Sequence, residues 1–174
     1  MKKAWEHSVV VQAPVDEVYA LVADVSRHPE WDKYTKRVEL SKEGDASGVG
    51  AEWKAYEQMG LFSLGEKESD SRHLTGIAKR VVREVVPNQR VAWHTHSVPN
   101  VGVSADLSYE FVAQGDATEV TFKTVVSVPT VVEKVAGVIT RNLDTRQQAQ
   151  WAASMDQLRS VAEEAHARQQ LVAV

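Results

Sequence analysis

The sequence has no cysteine among its 174 residues. This absence excludes disulfide bonds, thiolate nucleophiles, sulfur-ligated zinc and iron–sulfur clusters. Apolar segments of membrane-spanning length are also lacking, and Trp5, Glu6 and His7 interrupt the start of the chain. We therefore expect neither a membrane span nor a signal peptide, and a cytoplasmic location is the default expectation.

Neither sign of charge is concentrated in one segment. The chain has 20 Lys and Arg residues against 24 Asp and Glu residues, for a formal net charge of -4. Because there is no long run of like charges, nucleic acid and anionic membrane surfaces are not expected partners. A phosphate-binding glycine loop, a Gly-x-Ser-x-Gly elbow and a His-Glu-x-x-His helix are missing too, which argues against nucleotide and standard hydrolase chemistry.

What is present begins with a predicted strand and helix. Ser8 to Val11 read as a short strand, and a helix begins at about Pro14, where a missing N–H is tolerated. One apolar stripe follows at helical spacing, made of Val15, Val18, Tyr19 and Val22. This stripe must pack against another element. We expect Ser26 to cap a second short helical turn.

The middle of the chain, from Tyr34 to about Val128, predicts roughly six strands in a meander. Turn-forming residues interrupt it at positions 44–50, 66–71, 87–88, 99–100 and 115–116. Alternation of apolar and more polar residues is clearest in two runs, which are Val103, Ala105, Leu107, Tyr109, Phe111 and Val120, Phe122, Thr124, Val126. Strands of this kind bury one face against a core.

The C-terminal part, from Pro129 to about Ala167, predicts a helix because it is rich in Ala, Glu, Gln and Arg and has no internal proline. Gly137 is the position where a break is expected. An apolar stripe near its end consists of Trp151, Met155, Leu158 and Ala162. Since no linker or repeat occurs, we expect a single ligand-binding domain over 1–168 and a frayed tail over 169–174.

This order of elements resembles the helix-grip fold of the START-like superfamily, which includes polyketide cyclases, lipid carriers and the birch pollen allergen. The segments most similar to bacterial polyketide cyclase/dehydrase relatives are Ser8–Tyr19, Ala23–Ser26, His28–Trp31, Val85–Trp93 and Met155–Glu163. The resemblance implies an α+β fold in which an antiparallel sheet of about seven strands curves around a long C-terminal helix, with two short helices after the first strand. It leaves the function open, because relatives bind, carry or transform many molecules.

Arg83 is the first candidate catalytic residue. Strand alternation gives Val81, Arg83 and Val85 one face, so a charged side chain stands in an apolar stripe, where burial without a partner is costly. The alternative is an arginine at the sheet edge whose stem lies on apolar surface and whose head is in water. The resemblance adds that aromatase/cyclase relatives place a pocket arginine on the equivalent strand. The position of that arginine aligns more closely with Val85 than with Arg83.

Tyr34 is the second candidate. The resemblance implies a pocket tyrosine near this position, and a phenol at a pocket wall can orient a carbonyl or donate a proton. The alternative is a tyrosine at a strand entry whose hydroxyl contacts water. Gln148 falls where relatives have a helix asparagine that faces the cavity, so its amide is expected to bind a ligand oxygen unless it is simply solvated.

Aromatic residues are predicted to line the binding surface of a small apolar or aromatic ligand. The candidate ligand-binding residues are Trp53, Trp93, Tyr109, Phe122 and Trp151. Aromatic side chains either line a pocket for a flat ring or fill a core, and for each residue alone the core is the simpler explanation. The predicted C-terminal helix is also unusually polar from Arg141 to Gln150. Together with this polar stretch, the aromatic residues fit a pocket with apolar walls and a few directed polar groups.

His94 and His96 alternate on one strand, so their imidazoles point to the same side, as in metal sites with a His-x-His pair. If Trp93 faces the pocket, both histidines face outward, and no third ligand is obviously placed to join them. We therefore expect no metal site and no cofactor.

Three functions remain open at this point. The leading hypothesis is a polyketide cyclase/aromatase-like enzyme, acting as a monomer or homodimer, whose pocket directs aldol cyclisation and dehydration through Arg83, Tyr34 and ordered water. The second is a carrier or sensor of a lipid or aromatic metabolite, which needs the same pocket without the catalytic pair. The third is a stress or co-chaperone module that binds a protein through an apolar patch at about Met59 to Leu64.

Overall fold

A computed structural model describes residues 2–57, 76–98, 102–130 and 143–172. The strands are β1 (Lys2–Val11), β2 (Thr35–Lys42), β3 (Glu52–Glu57), β4 (Gly76–Val86), β5 (Arg90–Val98), β6 (Ser104–Gln114) and β7 (Ala117–Ser127). The helices are α1 (Val15–Ala23), α2 (His28–Trp31) and α3 (Leu143–Val172), with a 3₁₀ turn at Val25–Arg27 before α2. Met59 to Leu64 and Gly137 lie outside the described residues.

The strands form one antiparallel sheet of seven strands in the order β1-β7-β6-β5-β4-β3-β2. This sheet, with two short helices after β1 and a long C-terminal helix, confirms the predicted α+β helix-grip fold. β1 begins at Lys2 rather than at Ser8, because it pairs with β7 over its whole length, from Lys2 opposite Ser127 to Val11 opposite Thr118. No helix among the described residues is long and apolar enough to cross a membrane.

The start of α1 follows the predicted pattern, with Pro14 as the residue before its first turn and Asp16 in that turn. The prediction for Ser26 is wrong in one respect. Asp24, not Ser26, caps the 3₁₀ turn, because its Oδ1 accepts a hydrogen bond of 2.9 Å from the backbone N–H of Ser26. A carboxylate two residues earlier reaches that N–H more directly than a hydroxyl already inside the turn.

The core lies between the concave face of the sheet and the helices α1 and α3. Its largest fully buried side chains include Trp31, Phe122, Leu21, Met155 and Leu158. Each buried side chain of this size stabilises the fold by roughly 1.5–3 kcal/mol relative to exposure. α3 continues to Val172, into the segment predicted as a frayed tail, and Leu171 is 80% exposed there.

Side chains on the concave face change in size along the strands. The strand register aligns one row of Val85, Val91, Tyr109 and Phe122, and a second row of Val82, Trp93, Leu107 and Thr124. These two rows form the aromatic end of the concave face. Beyond them lies the small-residue end, which consists of Ala55, Ala78, Thr95, Ser97 and Ala105. The two ends therefore offer a ligand different surfaces, one filled by rings and one lined by small side chains.

Candidate functional site

A buried arginine on β4 is the centre of the candidate site. Arg80 is only 7% exposed. Its guanidinium forms hydrogen bonds with side chains of α2, of the residue that follows α2, and of the strands β2 and β3. The contacts run from Nη1 to Nδ1 of His28 at 2.7 Å, and from Nη2 to Thr35 Oγ1 at 2.7 Å, Glu57 Oε1 at 2.8 Å and Asp32 Oδ2 at 3.4 Å. We call these five residues the Arg80 cluster.

The small side chains at the small-residue end of the sheet leave the space through which the Arg80 side chain extends to these partners. In the register, Arg80 stands opposite Trp53 on β3, whereas its partner Glu57 lies four residues further along that strand. The guanidinium must therefore extend along the concave face, and the small side chains of Ala55 and Ala78 lie between these positions. Bulkier residues there would occupy the space that the arginine uses.

His28 is the neutral partner of Arg80. A guanidinium can only donate hydrogen bonds, so Nδ1 of His28 accepts, and Nε2–H donates to the backbone oxygen of Val22 at 2.9 Å. Burial of the ring, followed by the nearby charge of Arg80, lowers the pKa of His28 from 6.5 to about 3. The ring packs against the indoles of Trp31 and Trp93, each with a centroid separation of 5.0 Å.

Asp32, which follows α2, is the ionised carboxylate of the cluster. It accepts hydrogen bonds from Thr35 Oγ1 at 2.5 Å, from Ser154 Oγ of α3 at 3.2 Å and from the backbone N–H of Tyr34 at 3.2 Å. Burial alone would raise the pKa of Asp32, but the charge of Arg80 and the hydrogen bond from Thr35 outweigh it, so that the pKa lies below its usual value. Asp32 thus links α2, the sheet and α3.

Glu57 is the second carboxylate, at the end of β3, and it behaves differently. Burial raises its pKa, the charge of Arg80 opposes this, and the negative charge of Asp32 adds to the increase. Its side chain is 27% exposed, so it is the more accessible of the two carboxylates, compared with 20% for Asp32. One guanidinium therefore separates two carboxylates whose pKa values are shifted in opposite directions.

The structure corrects the predicted position of Arg83. A β-bulge interrupts the pairing of β4 with β5 between Val82 and Glu84, at Arg83 itself. The strand alternation changes there, so that Arg80, Val82 and Val85 face the core and Arg83 is exposed. The predicted shared face of Val81, Arg83 and Val85 is wrong for this reason, and Arg83 lies outside the Arg80 cluster.

Tyr34 lies beside the cluster, half-buried, between the cluster residues Asp32 and Thr35 in the chain. The predicted ligand-binding aromatic residues fall into two groups. Trp93, Tyr109, Phe122 and Trp151 form a continuous array at the aromatic end, with successive ring centroids 5.4, 4.9 and 5.6 Å apart. Trp53 instead packs against the smaller cluster of Val25, Ala51 and Val82. Gln148 is exposed on α3.

Within the array the aromatic residues are largely core. Phe122 is 1% exposed, Trp93 3% and Tyr109 6%, whereas Trp151 is half-buried. These low values mean that the rings at this end pack against protein atoms of α1, α2 and α3. The part of the concave face that is less covered lies towards Thr95, Ser97 and Trp151.

His94 and His96 are half-buried on the outer face of β5, opposite to Trp93, with ring centroids 6.2 Å apart. His94 Nδ1 lies 2.6 Å from Asp106 Oδ1, which gives the ring a carboxylate partner. Across the part of the chain that the structure describes, no group of three or more His, Asp or Glu side chains is arranged to hold a metal ion.

The Arg80 cluster was not among the sequence predictions. Two signals for it were present. His28 begins and Asp32 follows the segment His28–Trp31, which is among those that carry the family resemblance, and Arg80 alternates with Ala78 and Val82 before the bulge. The contact of Arg80 with Glu57 joins strands connected by a long segment, and no local pattern indicates it.

Comparisons with known proteins agree with this fold. The sequence model of a family described as polyketide cyclase / dehydrase and lipid transport matches residues 11–151. No curated protein sequence matches the chain significantly. Among solved structures, the Zhui aromatase/cyclase from Streptomyces sp. R1128 is similar with a TM-score of 0.70 at 17% identity, over 94% of each chain.

Two further similar structures come from different kinds of protein. A START superfamily protein from Mycobacterium smegmatis has a TM-score of 0.61 at 13% identity, over 95% of this chain and 98% of that one. A point mutant of norcoclaurine synthase from Thalictrum flavum has a TM-score of 0.61 at 17% identity, over 95% of this chain and 96% of that one. At these identities the likeness concerns the fold.

Proposed function

This chain belongs to the polyketide cyclase / dehydrase and lipid transport family, and we propose that it binds a small apolar or aromatic molecule between the sheet and α3 and catalyses its aldol cyclisation and dehydration. The family description and the similarity to an aromatase/cyclase support an enzyme of cyclisation. The observation that carries the proposal is the pair of carboxylates around Arg80.

Two carboxylates with pKa values moved apart are suited to acid–base catalysis, because one stays ionised while the other takes up a proton more readily. Asp32 holds the permanent charge beside Arg80, and Glu57 has the raised pKa and the greater exposure. We assign proton transfer to Glu57. Asp32 acts as a positioning residue, since it fixes Arg80, Thr35 and Ser154.

The proposed reaction starts from a chain that carries ketones on alternate carbons. The Glu57 carboxylate removes a proton from a carbon between two carbonyls, and the resulting enolate carbon attacks a distant ketone, so that one C–C bond forms and the ketone becomes an alkoxide. Protonated Glu57 returns the proton to that alkoxide. Glu57 then removes a second carbon-bound proton and transfers it to the departing hydroxyl group, which leaves as water while a double bond forms, with no external oxidant or reductant.

Arg80 and Tyr34 have supporting roles in this proposal. The positive charge of Arg80 favours negative charge that develops on a substrate oxygen nearby. Tyr34, whose backbone N–H donates to Asp32 Oδ1, is proposed to orient a carbonyl. Holding one conformer of a flexible chain contributes as well, since good orientation can lower a barrier by about 7–11 kcal/mol in the best cases.

The Glu57→Gln variant tests the proposal. We expect it to lower the rate of cyclisation of a synthetic poly-β-ketone by about a hundredfold, because a positioned acid–base group contributes on that order. The readout is the loss of one water from the substrate, followed by mass spectrometry. Arg83→Ala is the matched control and should retain the wild-type rate, since Arg83 is exposed and outside the Arg80 cluster. Folded Glu57→Gln protein with an unchanged rate would contradict the assignment.

A carrier function is the second candidate, and one observation favours it. The hydrogen-bonding groups of Arg80 already engage His28, Thr35, Glu57 and Asp32, as in a cluster that only stabilises the fold. Native mass spectrometry separates the two functions. A carrier releases a bound molecule unaltered on denaturation, and incubation with the poly-β-ketone leaves the substrate mass unchanged.

A further inference from the structure

Two histidines and a carboxylate lie side by side on the outer face of the sheet, away from the Arg80 cluster. His94 and His96 alternate along β5, with ring centroids 6.2 Å apart. Asp106 of β6 is the cross-strand partner of His94, and its Oδ1 lies 2.6 Å from Nδ1 of that ring. A metal site was not expected from the sequence because no third group was obviously placed to join the two histidines. Asp106 is such a group.

The contact with Asp106 determines which nitrogen of His94 is available to a ligand. A carboxylate only accepts hydrogen bonds, so Nδ1–H of His94 donates to Asp106, and in the neutral ring Nε2 has the free lone pair. Histidines that bind metal ions commonly have this arrangement, because the carboxylate orients the ring and makes its other nitrogen a better ligand. The side chain of Asp106 is 71% exposed and that of His94 29%, so solvent reaches the pair.

The spacing of the two rings allows one ion to contact both. Transition-metal ions bind an imidazole nitrogen at about 2.0–2.1 Å, so two rings that share an ion have centroids no more than roughly 6.5 Å apart. The observed separation of 6.2 Å lies within this limit. Both side chains leave β5 on the same side of the sheet, so rotation of the half-buried rings is enough and the backbone does not need to move.

The charges on the neighbouring strands permit a cation at this place. Lys79 of β4 is the cross-strand partner of His96, and an unpaired ammonium there would repel a metal ion. Its Nζ is instead paired with Oε2 of Glu52 at 2.5 Å. Lys54 lies one strand further away, opposite Lys79. The charged group in contact with the histidines is therefore the carboxylate of Asp106.

We propose that His94 and His96 bind a divalent transition-metal ion on the outer face of the sheet, with Asp106 as the residue that orients His94. Imidazole ligands suit Cu²⁺ and Zn²⁺, and Cu²⁺ binds most tightly of the divalent first-row ions. Across the residues that the structure describes, no group of three such side chains could hold the ion, so water completes its coordination. Closed sites with four protein ligands are structural, whereas this open site suits a reversibly bound ion.

The test is isothermal titration calorimetry of the full chain with Cu²⁺ at neutral pH in a buffer that does not bind metals. Wild-type protein should bind the ion with nitrogen hyperfine coupling from imidazole in its electron paramagnetic resonance spectrum. His94→Gln and His96→Gln should each weaken binding at least about tenfold, and Asp106→Asn should weaken it by roughly tenfold. His7→Gln is the matched control, since His7 is exposed on β1 and should not affect the affinity.

The results distinguish this pair of histidines from other places where Cu²⁺ could bind. Equal affinity of wild-type protein and of the folded variant that combines His94→Gln with His96→Gln would overturn the proposal, as would a spectrum without imidazole nitrogen. Unchanged affinity in Asp106→Asn alone would overturn the orienting role of Asp106. Because the site lies on the opposite face from the Arg80 cluster, none of these outcomes bears on the proposed cyclisation.

Discussion

Arg80→Met should lower the free energy of unfolding by about 3–5 kcal/mol, the usual cost of removing one partner from a buried ion pair. The substitution keeps most of the side-chain length but leaves Asp32 and Glu57 facing one another without their shared cation, which now lies 3.4 and 2.8 Å from them. Their side chains are 20% and 27% exposed, so water screens part of the penalty and the lower end of that range is expected. Urea denaturation at neutral pH measures the effect.

Arg83→Met is the control for this experiment, because it makes the same chemical change three residues away at an exposed position. It should alter the free energy of unfolding by no more than about 0.5 kcal/mol. Adding Glu57→Gln to Arg80→Met should recover part of the lost stability, since one of the two uncompensated charges is removed. Equal effects of Arg80→Met and Arg83→Met would contradict the account of the Arg80 cluster.

The fold was predictable because its signals are local. Alternation in β6 and β7, the apolar stripe of α1 and the residues at its start each specify an element without knowledge of its neighbours. Once the elements and their order are known, an antiparallel meander leaves few ways to cover one face with a long helix.

The site was only partly predictable, and Arg83 shows why. An alternation argument requires an unbroken strand, and a single bulge between Val82 and Glu84 exchanges the two faces of β4. Bulges have weak sequence signals, so alternation alone assigned Arg83, and not Arg80, to the core-facing side of that strand. The partners of Arg80 are fixed by tertiary packing, as His28 lies 52 residues away in the chain and Asp32 lies 48.

The stability of the protein should fall steeply as the pH decreases from about 6.5 towards 3, because His28 is neutral in the folded state. Its pKa is lowered by burial to about 3, whereas in the unfolded chain it stays near 6.5. Between these values the unfolded state binds more protons than the folded state, so acid favours unfolding. The pKa of Asp32 is also lowered and contributes with the same sign at more acidic pH, while the raised pKa of Glu57 contributes with the opposite sign.

His28→Gln isolates the contribution of the histidine. Glutamine offers one acceptor for Arg80 and one donor for the backbone oxygen of Val22, but it does not titrate. Each unit of pKa shift corresponds to about 1.4 kcal/mol, and about 1.5 units lie between 6.5 and pH 5, so the variant should lose roughly 2 kcal/mol less than the wild type when the free energy of unfolding is compared at about pH 7 and about pH 5. His7→Gln, at an exposed position of β1, should leave the wild-type slope unchanged. An equally steep loss of stability in His28→Gln would show that His28 is not the neutral, buried acceptor that holds Arg80 in place.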